Sequence, residues 1–264
     1  MKVITDMQQW QQERAQLTGT LGFVPTMGAL HAGHISLLER SVADNDLTVL
    51  SIYVNPTQFN DPKDLESYPS TLEDDLAHAR QAGVDYVIMP AYDDLYADDY
   101  RFRVIENAFS EELCGANRPG HFTGVLTVVM KLLNLVNANR AYFGRKDFQQ
   151  FQLIKDMAAA FFMTVEIVDC PTVRETDGLA MSSRNKLLDV AGRKLAGKFN
   201  CALRSGADDS TVAKQLERLG FQVDYVVTKG TRRFGAVVVT CGDRQVRLID
   251  NVWIDTVDHT AAAV

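Results

Sequence analysis

His31 and His34 stand three residues apart in the run Pro25-Thr26-Met27-Gly28-Ala29-Leu30-His31-Ala32-Gly33-His34. Side chains at that spacing share one face of a helix. The apolar residues just before this run read as a strand, and Ile35-Ser36-Leu37-Leu38 as the helix that follows it. A glycine-bearing turn thus delivers two imidazoles to the start of a helix. Backbone N–H groups there attract anions, and Gly28 and Gly33 let a ligand approach the main chain. The chemistry on offer is the holding of phosphate oxygens while charge develops on them. A plain βα turn with two surface histidines would give the same short pattern, since HxxH alone has many false matches. A zinc site would need a third ligand at metal spacing, and none follows.

Five further clusters carry candidate chemistry. Asn55-Pro56-Thr57-Gln58 closes an apolar run, although Asn-Pro is also ordinary turn chemistry. Gly144-Arg145-Lys146-Asp147 and the nearby Gln150 repeat the opening design of strand end, glycine and helix start; a lone lysine in such a place is usually a solvated charge. Met181-Ser182-Ser183-Arg184 offers hydroxyl donors and a planar guanidinium, suited to phosphate, or else a helix-capping serine pair. Glu73, Asp74 and Asp75 fill the first turn of a helix, where carboxylates favour the dipole. Contact with a metal near phosphates is the second reading of those acids. Arg118 and His121 open a long apolar helix and face either a pocket or solvent.

The elements that must position these groups follow from pattern. Residues 6–17 read as a helix capped by Thr5 or Asp6. Residues 21–25 form a strand, and the histidine helix runs to about Ala43. Residues 47–54 are a continuous β-branched apolar run, as expected of a strand buried on both faces. A helix over 71–82, a strand over 84–90 and a solvated acidic excursion over 92–100 come next. The helix over 123–136 is apolar nearly all round, which fits deep core or a subunit interface. Strands over 140–143 and 165–170 complete a parallel α/β sheet, whose ligands belong outside the carboxyl ends of the strands. The composition then turns small and polar. A helix over 186–205, another over 210–219 and strands over 221–228, 235–241 and 246–253 make a small α+β module, and 259–264 reads as a frayed end. The domain division expected is 1–172 and 173–264.

With 264 residues, 46% hydrophobic and 23% charged, the chain has ordinary globular composition and ample core. A formal charge of −7 disfavours broad affinity for nucleic acid or membrane surfaces, so any anion site must be a local basic pocket. No signal peptide and no bilayer-length apolar run is evident. The four cysteines are scattered without a CxxC pair, as in a reduced, cytoplasmic protein.

Taken in order, PTMGALHAGH, VNPTQFN, RPGHFTGVLTVVMKLLNL with FGRKDFQQ, and PTVRETDGLAMSSRN closely resemble the pantothenate synthetase (pantoate–β-alanine ligase) family within the HIGH-type nucleotidyltransferases. The similarity is strong over about 20–190 and looser beyond. It implies a Rossmann-like N-terminal domain and a smaller C-terminal α+β lid domain in a homodimer. The implied reaction joins pantoate to β-alanine with ATP and Mg²⁺, through a pantoyl adenylate, releasing pyrophosphate and then AMP. By matched position, Met27, Gly28, Ala29, Leu30, His31, Ala32, Gly33 and His34 would line ATP, with His34 as proton donor. Gly144, Arg145, Lys146 and Asp147 would grip ribose and phosphates, Lys146 neutralising charge. Val173 would meet adenine, and Met181, Ser182, Ser183 and Arg184 would clamp phosphate. Pro25, Thr26, Met27, Asn55, Gln58, Arg118 and Gln150 would hold pantoate and β-alanine, and Asp74 and Asp75 would meet Mg²⁺ or its waters. Arg145 departs from the family's usual glutamate, and the C-terminal part is short beside typical members. A sibling enzyme transferring a nucleotidyl group to a phosphate would explain the histidine turn but not the two glutamines. A non-catalytic nucleotide-binding protein would not need His34, Lys146 and the serine pair together.

Overall fold

The computed structural model describes residues 1–254, in two compact units that divide between Val173 and Arg174. In the first unit β1 (Lys2–Ile4), a strand the sequence pattern does not announce, leads to α1 (Met7–Arg14). Asp6 caps that helix by accepting from the backbone N–H groups of Gln8 and Gln9 at 2.8 and 3.2 Å. Then come β2 (Leu21–Thr26), α2 (Ala32–Asp44), β3 (Leu47–Ile52), the short α3 (Pro62–Glu66), α4 (Leu72–Gln81) and β4 (Tyr86–Ile88). A long crossover holds α5 (Tyr92–Leu95), α6 (Cys114–Asn117) and α7 (His121–Val136). It returns the chain to β5 (Arg140–Gly144), α8 (Phe148–Ala160) and β6 (Glu166–Cys170).

These six strands form one parallel sheet in the order β1-β4-β3-β2-β5-β6. The chain winds from β2 outward through β3 to β4, then crosses to the other side of β2 for β5 and β6. The reversal point therefore lies between β2 and β5, where open α/β sheets bind their ligands. The two strands pair as Gly22 with Arg140 and Phe23 with Ala141, and the register ends there. The main chains beyond those pairs lead separately to the histidine turn and to Gly144-Arg145-Lys146.

Strand burial explains the unbroken apolar runs: Leu21, Phe23, Val24, Val49 and Leu50 are all in the core. Eleven of the sixteen residues of α7 are buried within this chain, so core packing accounts for its apolar character. The stretch over 92–100 is mostly exposed, as expected of a solvated excursion, but two of its residues are anchored in the core. Leu95 and Tyr96 are buried, and the acidic residues around them hide that from pattern reading.

In the second unit the helix expected over 186–205 is broken into a 3₁₀ turn (Ser183–Leu187), α9 (Val190–Ala196) and α10 (Phe199–Leu203). Asp189 restarts the helix by accepting from Gly192 N at 2.6 Å. After α11 (Asp209–Leu219), strands β7 (Gln222–Lys229), β8 (Arg232–Cys241) and β9 (Arg244–Trp253) form an antiparallel meander. Gly230 and Gly242, at φ +57° and +60°, turn its two hairpins. Phe199, Leu203, Leu216, Val237, Val239 and Leu248 give this unit a core of its own. The frayed end expected over 259–264 lies outside the described residues.

Candidate active site

The histidine turn is held from below by a carboxylate. Gly28 and Ala29 both adopt left-handed backbone, φ +79° and +50°. The backbone N–H groups of Ala29 and Leu30 then point at Asp75 Oδ2 and Oδ1, at 2.8 and 2.7 Å. Thr71 donates its hydroxyl to the same carboxylate at 3.2 Å. Thr26 Oγ1 fixes the strand end by donating to the Ser51 carbonyl at 2.8 Å and accepting from Gly28 N at 3.2 Å. A Cβ at Gly28 would stand 2.9 Å from Asp75 Oδ2, so glycine is needed for space as well as for φ.

Three expectations are corrected by this arrangement. Asp75 is buried with both oxygens committed to the loop, which removes it as a metal ligand. Ala29 and Leu30 bury their side chains and give their N–H groups to Asp75, so neither offers a donor to a nucleotide. The helix start is also largely satisfied internally. His31 is the N-cap of α2, accepting from Gly33 N at 3.1 Å through Nδ1, and His34 Nδ1 reaches back to His31 N at 3.4 Å. The side-chain donors this turn presents are its two imidazoles.

Both rings accept through Nδ1, so in the neutral form each carries its proton on Nε2, the edge opposite the helix start. The ring centroids lie 4.1 Å apart at 31°. Burial, and after it the Lys146 ammonium, pushes the His34 pKa down to about 4. At neutral pH His34 is an uncharged N–H donor near a cation that comes from the 3₁₀ turn after the neighbouring strand β5. Lys146 is largely sheltered and lies 3.5 Å from Asp147. A Cβ at Gly144 would meet open space, so the backbone before Lys146 is uncrowded. Arg145 forks onto Asp169 of β6, Nε and Nη2 reaching Oδ2 at 2.9 and 2.6 Å. That pairing explains how arginine is accommodated where the resemblance called for glutamate, and it commits the guanidinium expected on ATP to a protein carboxylate.

The second cluster surrounds Gln58. Its backbone carbonyl accepts from His121 Nδ1 at 2.8 Å and Arg118 Nη2 at 3.3 Å. Arg118 Nη1 also lies 3.1 Å from His121 Nε2; a guanidinium only donates, so Nε2 accepts and Nδ1 carries the proton. Arg118, expected on substrate, thus supports the loop that bears Gln58. Asn55, also expected on substrate, is buried and bonded on both amide ends to protein groups. Gln58 Nε2 lies 3.3 Å from Met27 Sδ, which joins this cluster to the histidine turn. Gly124 lets α7 pack on the same loop: a Cβ there would sit 2.4 Å from the Thr57 carbonyl. Gln150 is half-buried, and its amide has no partner among the described residues. Its neighbour Gln149 is structural, holding the carbonyls of Phe109 and Glu112 at 2.7 and 2.8 Å.

Val173 is the last residue of the first unit, and Met181, Ser182, Ser183 and Arg184 belong to the second. Ser182 caps the 3₁₀ turn by accepting from Arg184 N at 3.3 Å, and Ser183 is buried. The loop leading to them is fastened to that unit's sheet by Arg174, whose guanidinium donates to both oxygens of buried Asp250 at 2.7 and 2.9 Å. Asp74 is exposed, and no group of three or more His, Cys, Asp or Glu among the described residues could hold a metal ion. No helix among them is long and apolar enough to cross a membrane.

A doubly wound parallel sheet, with the imidazoles and the Lys146 ammonium carried on the chain beyond the two strands of its reversal point, defines a Rossmann-like α/β protein. The family model for pantoate-beta-alanine ligase matches residues 1–253. The chain belongs to that family. It is 53% identical over 253 residues to the pantothenate synthetase of Bdellovibrio bacteriovorus, covering 96% of this chain and 99% of the relative. The pantothenate synthetase of Legionella pneumophila is 48% identical, covering 95% and 99%. Among solved structures, the pantoate-beta-alanine ligase of Francisella tularensis, complexed with beta-gamma ATP and beta-alanine, superposes at a TM-score of 0.90 with 38% identity, covering 96% and 97%. The pantothenate synthetase of Thermus thermophilus follows at 0.85 and 36%, covering 96% and 99%. The shortness of the C-terminal part is thus shared with these relatives.

Proposed function

We propose that this protein condenses pantoate with β-alanine at the expense of ATP. The pantoate carboxylate attacks the α-phosphorus, pyrophosphate leaves, and pantoyl adenylate remains. The β-alanine amine then attacks the acyl carbon, AMP leaves with the bonding pair, and the amine's proton is lost to give pantothenate. His31 and His34 donate from Nε2 to phosphate oxygens as charge builds, and Lys146 supplies the fixed positive charge, which is catalysis by positioning and electrostatics. Gln58 and Gln150 hold the oxygens of pantoate, with Pro25, Thr26 and Met27 as the wall behind it. Ser182, Ser183 and Arg184 serve phosphate, and the backbone of Val173 serves adenine.

Mg²⁺ belongs to the proposal only as a companion of ATP. Magnesium prefers substrate phosphates and its own waters to an all-protein cage, which suits a chain whose Asp75 is committed elsewhere. A cytoplasmic homodimer is part of the same reading. The observation that carries it is the pair of adjoining imidazoles, both tied inward through Nδ1, with Lys146 near enough to His34 to act on its charge. The relative solved with beta-gamma ATP and beta-alanine supports the choice of substrates.

Pyrophosphate release tests it. Pantoate and ATP alone should give about one equivalent per site, and adding β-alanine should start turnover with AMP as product. A dinucleotide product would favour the sibling nucleotidyltransferase, and ATP binding without any pyrophosphate would favour a non-catalytic protein.

A further inference from the structure

An amide side chain has a donor end and an acceptor end, and a site that uses one must fix which end faces the ligand. At Gln58 the choice is forced from behind. The Gly124 carbonyl only accepts, so the end of Asn55 lying 3.3 Å from it is Nδ2. The same Nδ2 donates to Gln58 at 3.0 Å, and the end of Gln58 that meets a donor is its oxygen, Oε1. The other end is Nε2, whose contact with the weakly accepting Met27 Sδ occupies at most one of two hydrogens.

The Asn55 amide is clamped on its opposite side by two hydroxyls. Tyr96 OH donates to Oδ1 at 2.9 Å and Thr57 Oγ1 donates to it at 3.0 Å. Tyr96 is buried, and its ring is caged by Tyr92 and Tyr100, at centroid distances of 4.9 and 5.3 Å, with Lys131 Nζ 5.1 Å above it. Burial raises its hydroxyl pKa to about 12, so it stays a donor at any working pH.

We infer that Tyr96 is a positioning residue of the acid-binding site: with Thr57 it holds the Asn55 amide in the orientation that turns the donor end of Gln58 toward the ligand. The inference rests on the reading of Gln58 as a pantoate contact. A donor end there donates to a carboxylate or hydroxyl oxygen and repels an ammonium. The site thereby keeps the amine of β-alanine off the position meant for the first substrate.

Steady-state kinetics of Tyr96→Phe, Thr57→Val and Gln58→Ala on the intact protein test this. Tyr96→Phe keeps the ring and removes the hydroxyl's contacts with Asn55 Oδ1 and, at 3.3 Å, with Thr57 Oγ1. It should raise the pantoate KM about three- to tenfold while leaving the ATP KM and the melting temperature near their starting values. Thr57→Val should do the same, and the double variant should exceed the product of the two, because the amide then has neither clamp. Competition by β-alanine against pantoate should rise in step. An unchanged pantoate KM in Tyr96→Phe, with a raised one in Gln58→Ala, would overturn the positioning role alone. An unchanged pantoate KM in Gln58→Ala would overturn the underlying contact, and the inference with it. Should Tyr96→Phe fail to fold, Thr57→Val carries the same expectation and the same refutation.

Discussion

Neutral His34 changes what a histidine at this turn contributes. In the folded chain its ring stays uncharged down to a pKa of about 4, against an ordinary value of 6.5. Between those values the unfolded chain binds the extra proton, so this group's contribution to stability falls as pH drops from 6.5 to 4. A triphosphate arriving beside the ring favours its charged form and must raise that pKa. ATP binding at pH 5 to 5.5 should therefore take up protons. Calorimetry in buffers of different ionisation heat measures this, and zero uptake in wild type would place the ring away from the phosphates. Replacing His34 by Ala should slow adenylate formation by roughly 10²–10³, the scale of one lost oxyanion-type donor, read as the pyrophosphate burst with pantoate and ATP. His31, His34, Gln58 and Lys146 can be singled out in the sequence because each sits in a short local pattern. The contacts that Asp75 and Tyr96 make cannot be, because those partners lie more than forty residues away in the chain.

At the scale of elements, α4 and the histidine turn act as one piece through Asp75. Asp75→Ala leaves two buried N–H groups unpaired, each at about 1–3 kcal/mol. A loss of roughly 3 kcal/mol in urea unfolding is expected, with no rescue by excess Mg²⁺; rescue by the metal would revive the ligand reading of this acid. The junction of β5 with β6 gives a second test. Arg145 and Asp169 are each about a third exposed, so the pair contributes only about 1 kcal/mol. Arg145→Glu sets two carboxylates together and should lower the melting temperature by a few degrees, and adding Asp169→Arg should recover it; no recovery would mean that the pairing is idle. The strands of the sheet were readable because burial on both faces leaves unbroken apolar runs. The three-residue β1 carries too little pattern to announce itself. The helix expected over 186–205 kept its composition, but Asp189 and Gly197 divide it in ways that an apolar periodicity does not reveal.

Taken whole, the chain carries −7 net charge around a site meant for an anion, so attraction must be local and ATP binding should weaken little with added salt. The homodimer is checked by light scattering, where a mass of twice 29.4 kDa is expected and a single-chain mass would remove that part of the proposal. The class of fold was legible from helix-separated apolar strands. The side on which β5 pairs with β2 was not, since no local pattern records which neighbour a strand takes.

The sheet order also has a consequence during synthesis. β2 finds β3 within a few dozen residues, but its other neighbour, β5, is made on the order of a hundred residues later. At roughly 5–20 residues per second, the backbone of β2 stands unpaired on that side for about ten seconds on the ribosome. An open apolar strand is a template for stray pairing. Nascent chains stalled before residue 140 should therefore be captured by chaperones and aggregate on release, and those stalled well beyond residue 170 should not.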